Sequence, residues 1–266
     1  MDMAAPGTWH HGLVAEWWAL YNTTGDEIDY YRRFVEAGQP ALDAGCGAGR
    51  LLVPWLEAGL DVDGCDASAD MIARCRERAH AAGLDPTLFV HALHQLDPPR
   101  RYRTIVVCGV FGLGSTRAQD EEGLRRLHAA LEPGGMLLLD IEVPWANAPL
   151  WRRWTREERA SLPTSMPAWT ERRDAPDGSK RALRSRTVTV DPLDQSVVLE
   201  IEAGKWQDGT LVGEERYELS MRMYFRDELR MLFERAGFVD IEVCAAYSGA
   251  PPTADDDFLV YRARRG

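Results

Sequence analysis

No stretch of the 266-residue chain approaches the ~20 consecutive apolar residues of a membrane-crossing helix; the longest such run is the short one around Met136 to Leu139, so no membrane partner is expected. Met1 to Trp18 has no basic start, apolar core or small-residue cleavage site, so no secretory leader is expected either. The five cysteines, Cys46, Cys65, Cys75, Cys108 and Cys244, form no C-x-x-C pair and no Cys/His cluster at zinc spacing. That pattern argues against a disulfide framework and a metal site, and for reduced thiols in a cytoplasmic protein. Basic charge is in short supply: 42 acidic side chains outweigh 31 basic ones, for a net charge of -11. A duplex nucleic-acid binder must neutralise phosphates over a broad surface, so no nucleic-acid partner is expected and small-molecule work is favoured. Internal repeats and low-complexity tracts are missing too. What is present, 45% apolar and 27% charged residues with 9 Trp, describes a folded globular chain of one elaborated domain or two small ones.

Apolar positions at helical spacing predict a helix over Asp26 to Ala37, stopped by Gly38 and Pro40. A short strand at Ala41 to Asp43 then runs into Gly45-Cys46-Gly47-Ala48-Gly49, after which Leu51, Leu52, Trp55 and Leu56 resume the helical period. Pro54 should bend this helix unless it lies within the first turn. The alternation continues as strand Asp61 to Asp66, helix Ala69 to Ala82, and strands Thr87 to His91 and Thr104 to Val107. Helix Asp120 to Leu131 and strand Met136 to Ile141 follow. Helix Asp227 to Ala236 and strands Val239 to Ala246 and Phe258 to Arg262 close the pattern. Strands alternating with helices indicate an α/β fold, a mostly parallel, doubly wound Rossmann-like sheet with helices on both faces. Between Pro144 and Tyr224 the period changes to two, in Arg181 to Val190, Ser196 to Ala203 and Glu215 to Met223, with turn signals between them. This reads as an inserted antiparallel β meander led by a helical stretch. The expected organisation is a lid segment at residues 1–25, an α/β domain at 26–143 and 225–266, and the insertion at 144–224.

The glycines of Asp43-Ala44-Gly45-Cys46-Gly47-Ala48-Gly49-Arg50 let a ligand approach the backbone, and the helix behind them offers free N–H groups; a tight strand-to-helix turn is the plainer alternative. Asp66 falls at the carboxyl end of the second predicted strand, where a carboxylate can accept hydrogen bonds from both hydroxyls of a ribose. The same residue would serve as an N-cap for the next helix, a task Ser68 fills equally well.

These residues resemble the class I S-adenosylmethionine-dependent methyltransferases, small-molecule type. Leu42 to Arg50 is similar to that family's first motif; Asp66 matches its ribose acid, Leu131-Glu132-Pro133-Gly134-Gly135 the approach to its fifth strand, and Ala236-Gly237-Phe238 the start of its closing hairpin. The resemblance spans about Asp26 to Asp140 and Arg226 to Arg262. It implies a seven-stranded mixed sheet whose last strand is antiparallel, S-adenosylmethionine as cofactor and S-adenosylhomocysteine as product. By the same resemblance Asp43 and Arg50 lie near the methionine amino and carboxylate groups, and Gly45, Cys46 and Gly47 pass under the cofactor. Ala67 and Met71 pack on the adenosine, although Met71 fits a helix core as well. The family's Asp in the loop after the third strand is replaced here by Ala92, which leaves adenine contacts to the Leu93 backbone and the His94 side chain. Cys108, Gly109 and Phe111 fall beneath the sulfonium and at the acceptor's entrance, with Phe111 equally a core residue. Trp17-Trp18-Ala19-Leu20-Tyr21, followed by Asp29-Tyr30-Tyr31, looks like an aromatic lid, with Tyr21 as the cofactor contact; an amphipathic helix packed on the domain is the alternative.

The implied function is methyl transfer to an N or O atom of a small organic acceptor by in-line displacement. A hydroxyl acceptor calls for a general base, and none declares itself: His91, His94, Glu142 and Tyr247 are candidates by position only, and the catalytic residues stay unknown. His10 and His11 are expected in a disordered terminus. Ten Arg or Lys against five Asp or Glu between Arg152 and Arg186 make a basic run, either an attractor for an anionic acceptor or a solvated face. Trp145, Trp151, Trp154 and Trp169 line an acceptor pocket or support the inserted sheet. The meander's edges also suit a homodimer. Two other functions compete: a non-catalytic sensor or assembly protein that binds the same cofactor, and a nicotinamide dehydrogenase. The second is disfavoured because Arg50 breaks G-x-G-x-x-G.

Overall fold

Strands buried on both faces read as near-continuous apolar runs, as in Ile105 to Val107 of Tyr102–Val107 (β4), while Ala41–Ala44 (β1) is buried at all four positions, Asp43 included. In a computed structural model that describes residues 8–266, alternate side chains of these strands enter two separate cores. Leu42, Ile105 and Val107 join one core with Leu127, Leu139 and Phe233; Ala41 and Val106 join the other with Tyr31, Leu52, Trp55 and Ile72.

The element order opens with α1 (Gly12–Tyr21), α2 (Glu27–Ala37), β1, α3 (Leu52–Glu57), β2 (Val62–Asp66), α4 (Ala69–Ala81) and β3 (Leu88–Val90). After β4 come α5 (Arg117–Ala130) and β5 (Leu131–Glu142), then the short helices α6 (Ala148–Arg152) and α7 (Arg156–Arg159). Strands β6 (Arg173–Asp174), β7 (Lys180–Asp191), β8 (Ser196–Gln207) and β9 (Thr210–Arg222) precede α8 (Arg226–Arg235), β10 (Phe238–Ala245) and β11 (Phe258–Arg265). The main sheet has seven strands in the order β10-β11-β5-β4-β1-β2-β3. β1 pairs in parallel with β2 and β4, β4 with β5, and β11 runs antiparallel to both its neighbours, as the resemblance implies. The expected meander is there as an antiparallel sheet in the order β6-β7-β8-β9. Pro54 is the third residue of α3 and so lies in the first turn, where its missing N–H has no intrahelical partner to lose.

Two seams hold the second sheet to the first. Residues after β4 run beside β9: Arg222 N donates to Gly112 O (2.8 Å), Gly114 N donates to Ser220 O (2.7 Å), and Leu113 bridges to Met221. On the other side, α1 lies between α4 and β7 to β9, with Leu13 N donating to Glu215 Oε2 (2.7 Å) and Glu16 reaching both Arg74 (3.1 Å) and Arg181 (3.2 Å). No helix among the described residues is long and apolar enough to cross a membrane.

The first seam depends on Gly112, whose φ of +81° disfavours a side chain and whose Cβ would sit 2.6 Å from the Arg222 carbonyl oxygen. Gly59 has nearly the same φ, +79°, and open space around it. Gly59→Ala is expected to cost about 1 kcal/mol of stability and Gly112→Ala clearly more, about 2–4 kcal/mol. Urea denaturation of both variants reads the difference.

Candidate active site

The glycine loop leaves the carboxyl end of β1 beside that of β4, the topological switch point where open α/β sheets bind ligands. Gly45 packs so closely on this neighbour that an added Cβ would lie 2.5 Å from Val110. Gly47, at φ +53°, offers its N–H to Asp66 Oδ2 (3.0 Å), and the other carboxylate oxygen accepts from Ser68 N (2.8 Å). Ser68, not Asp66, caps α4, its hydroxyl oxygen accepting from Met71 N at 3.2 Å. Asp66 is thereby fixed at the end of β2, and burial raises its pKa.

Asp43 is the most telling group. It is 2% exposed, and its Oδ2 has no hydrogen-bond partner among the described residues. Desolvation, reinforced by the charge of Asp66, pushes its pKa up to about 7. A buried carboxylate oxygen without a donor is costly, and a cationic ligand group would supply what it lacks. Arg50, at the end of the loop, forms an ion pair with Glu27 on α2 and has its guanidinium 3.8 Å from Cys108 Sγ.

Around Cys108 and Gly109 stands a network centred on Asp140, 1% exposed on β5. Its Oδ1 accepts from Gly109 N (2.5 Å), and its Oδ2 from the hydroxyls of Tyr31 (2.8 Å) and Tyr247 (3.0 Å). Burial, with Asp140 alongside, drives both phenols far above the usual tyrosine range and pushes the Cys108 thiol up as well. Asp140 was not among the expected site residues, and Tyr31, expected in the lid, is bonded to it instead. A lone carboxylate inside the apolar run Leu137 to Ile141 was the available signal, because such a group is buried only with partners.

α1 roofs the glycine loop: Ala15, Ala48 and Met71 form one apolar cluster with Trp18 and Ala19 against it. His10 and His11 correct the expectation of a disordered terminus. The His10 carbonyl accepts from the Ser68 hydroxyl, and its imidazole packs on Trp18 at 5.8 Å, where burial lowers its pKa to about 4. His11 lies 3.8 Å from Asp70. Tyr21 points to the second sheet, its hydroxyl donating to the carbonyls of Arg173 (3.1 Å) and Asp174 (3.0 Å). A cavity of about 430 Å³ opens beside the loop, between Ala19, Ala48, Arg74 and Arg181. A larger concavity of about 720 Å³ lies on β10 and β11 and shares no residue with the loop.

At the end of β3, Leu93 packs beside Gly123 and His94 Nε2 lies 3.2 Å from the Gln119 amide. Gln119 Oε1 already accepts from Thr116 N (2.8 Å), so its amide nitrogen donates to His94 Nε2, and the proton of a neutral His94 sits on Nδ1. Ala67 is exposed, and Phe111 is a core residue packed on Tyr224 at 5.3 Å. His91 Nδ1 is buried without a partner, and Glu142, exposed at the end of β5, has its pKa raised by desolvation and by Asp257.

The strand half of the basic run is paired with acids: Arg181 with Glu16 and Asp177, Arg184 with Glu202, and Arg186 with Glu200. Trp169 packs on Trp206 of the inserted sheet (5.0 Å), whereas Trp151 and Trp154 stack at 5.0 Å beside Phe225.

Residues 41–135 match a family described as a methyltransferase domain. The ubiquinone biosynthesis O-methyltransferase of Bradyrhizobium sp. (strain ORS 278) is 31% identical over 107 residues, 39% of this chain and 40% of that protein. The tRNA 5-carboxymethoxyuridine methyltransferase of Escherichia coli (strain K12) is 35% identical over 132 residues, 45% of this chain and 50% of that protein. The chain spans about half the length, or less, of these curated relatives. Among solved structures, an S-adenosylmethionine-dependent methyltransferase from Clostridium acetobutylicum ATCC 824 superposes with a TM-score of 0.68 at 15% identity, covering 91% of this chain and 90% of that one. The CcbJ methyltransferase from Streptomyces caelestis gives 0.65 at 21%, covering 90% and 88%; both likenesses concern the fold. Strand order and glycine loop together define a Rossmann-like α/β domain. Residues 41–135 carry the match to a methyltransferase domain, and the fold around them is similar to that of S-adenosylmethionine-dependent methyltransferases. The residues fit that family's cofactor, because the unpartnered Asp43 oxygen is suited to its ammonium group and the Gly45 and Gly47 positions leave the backbone open to a ligand.

Because the folded pKa of Asp43 lies above its unfolded value of 3.8, the folded state holds this proton more tightly. Its contribution therefore favours folding below pH 4 and is lost as pH rises towards about 7, a change of about 2–4 kcal/mol. Asp43→Asn is expected to remove that slope. Urea denaturation of wild type and variant between pH 4 and pH 8, without ligand, checks it.

Proposed function

We propose that the protein is a cytoplasmic enzyme that transfers a methyl group from S-adenosylmethionine to an N or O atom of a small organic acceptor by in-line displacement. The observation that carries the reading is the pairing of Asp43 and Asp66 at adjacent strand ends, one with an open oxygen and the other locked to the glycine loop. The cofactor supplies a methyl group on a sulfonium, already an excellent leaving group, so the protein's task is chiefly positioning. Asp66 would accept from the ribose hydroxyls, Asp43 from the methionine ammonium, and Arg50 would donate to the carboxylate. Gly45, Cys46 and Gly47 would pass beneath the ligand, with Ala67 and Met71 against the adenosine and the Leu93 backbone and His94 Nδ1–H at the adenine edge. Tyr21, in the lid helix, would act by tying the lid to the inserted sheet. Cys108 and Gly109 would border the transfer site, with Phe111 setting its floor from the core.

Segment 1–25 would serve as lid and 144–224 as acceptor-binding or dimerisation subdomain on the α/β domain of 26–143 and 225–266. An amine acceptor needs only to be neutral, which agrees with a site where Tyr31 and Tyr247 hold their protons tightly.

Titration of the purified chain with S-adenosylmethionine, S-adenosylhomocysteine and NADH tests the reading. Saturable binding of the two sulfur ligands alone is expected, weakened about tenfold or more in Asp66→Ala, where the bidentate ribose contact is lost. Retention of NADH with no binding of either sulfur ligand would overturn it. Acceptor-dependent formation of S-adenosylhomocysteine then separates an enzyme from a sensor.

A further inference from the structure

A carboxylate in the first turn of a helix ordinarily faces water and answers the helix dipole. Glu27, the first residue of α2, turns instead to Arg50, and the two side chains are only 14% and 17% exposed. The Cys108 thiol lies within electrostatic reach of Arg50, Asp43 and Asp140, so these charges share one corner at the carboxyl ends of β1, β4 and β5. Among them Arg50 is the cation, and its fork suits a carboxylate.

The methionine end of the cofactor brings a carboxylate and an ammonium on one carbon. Once the carboxylate docks on Arg50, the ammonium is held close by and must satisfy three N–H donors. Asp43 offers one open oxygen in surroundings that penalise its charge. A second acceptor is needed, and Glu27 is the carboxylate already within contact of Arg50. If Glu27 lost Arg50 to the incoming carboxylate and gained nothing, a mostly buried charge would be stranded.

Resting on the cofactor reading above, we propose that Glu27 is a ligand of the cofactor's ammonium group. The Arg50–Glu27 ion pair opens to admit the amino acid end, Arg50 takes its carboxylate, and Glu27 joins Asp43 on the ammonium. Arg50 and Glu27 each exchange one partner for another, Asp43 gains one, and no charge is left unpaired.

Calorimetry of the full chain with S-adenosylhomocysteine, its analogue lacking the amino group, and 5′-methylthioadenosine, which lacks the amino acid end, tests this. Glu27→Gln is expected to weaken S-adenosylhomocysteine about tenfold, to leave 5′-methylthioadenosine unchanged and to leave the carboxylate-bearing analogue unchanged or tighter, while Glu27→Asp keeps part of the affinity. Unchanged or tighter S-adenosylhomocysteine binding in Glu27→Gln overturns the assignment, since Glu27 would then only compete for Arg50. Equal loss for all three ligands also overturns it, since the role would be structural. Where Glu27→Gln does not fold, Glu27→Asp carries the same test, through a loss confined to the amino-bearing ligand or spread over all three. A wild type that binds none of the three removes the cofactor reading and this assignment with it, a result seen before any variant is compared.

Discussion

The carboxylate of Asp66 is the tie on which the site depends. One oxygen takes the Gly47 N–H and the other the Ser68 N–H, so the end of β2, the turn of the glycine loop and the entrance to α4 are set by one side chain. As the N-cap of α4, the Ser68 hydroxyl accepts from Met71 N and also donates to the His10 carbonyl. The roof helix α1 is thus fastened to the same carboxylate at one remove. Charge-assisted bonds of this kind are about twice as strong as neutral ones, which offsets the burial that raises the Asp66 pKa.

α1 also serves as a strut between the two sheets. Glu16 stands between Arg74 of α4 and Arg181 of β7, and Leu13 N holds Glu215 of β9. The roof over the glycine loop and the position of the inserted sheet are therefore one mechanical unit. The seam between residues 112–114 and β9 joins the two sheets a second time, without α1. Pairing the arginines of β7 with acids of α1 and β8 keeps this arrangement rigid in a way that a free basic face would not.

Most of the α/β layer was legible because buried parallel strands and amphipathic helices write their periods locally. The Thr116–Gln119 capping box shows why α5 starts at Arg117, three residues before the apolar period suggested. The glycine loop, Asp43 and Asp66 were legible for the same local reason. Asp140, Glu27 and the partners of Arg184 and Arg186 were not, because their meaning lies in contacts far along the chain: Tyr31 is 109 residues from Asp140. A first-turn Glu looks like a dipole complement, and a run of arginines looks like a steering patch, until the facing strands are in place.

The balance of charge at the crevice bears on which nucleoside it suits. Asp43, Asp140 and Glu27 stand near Arg50, with Asp66 beside Asp43, and the upward shift of Asp43, caused by burial and then by the charge of Asp66, shows that the folded chain carries a cost for negative charge there. A ligand with a sulfonium and an ammonium would lower that cost. A dinucleotide would bring a pyrophosphate beside an unpartnered carboxylate oxygen and raise it. Dinucleotide sites use a third glycine where this chain has Arg50, so backbone and charge discriminate in the same direction. On the proposed reading, a preference for a cationic nucleoside would reside in the electrostatics of the strand ends, independent of the loop where Ala92 stands.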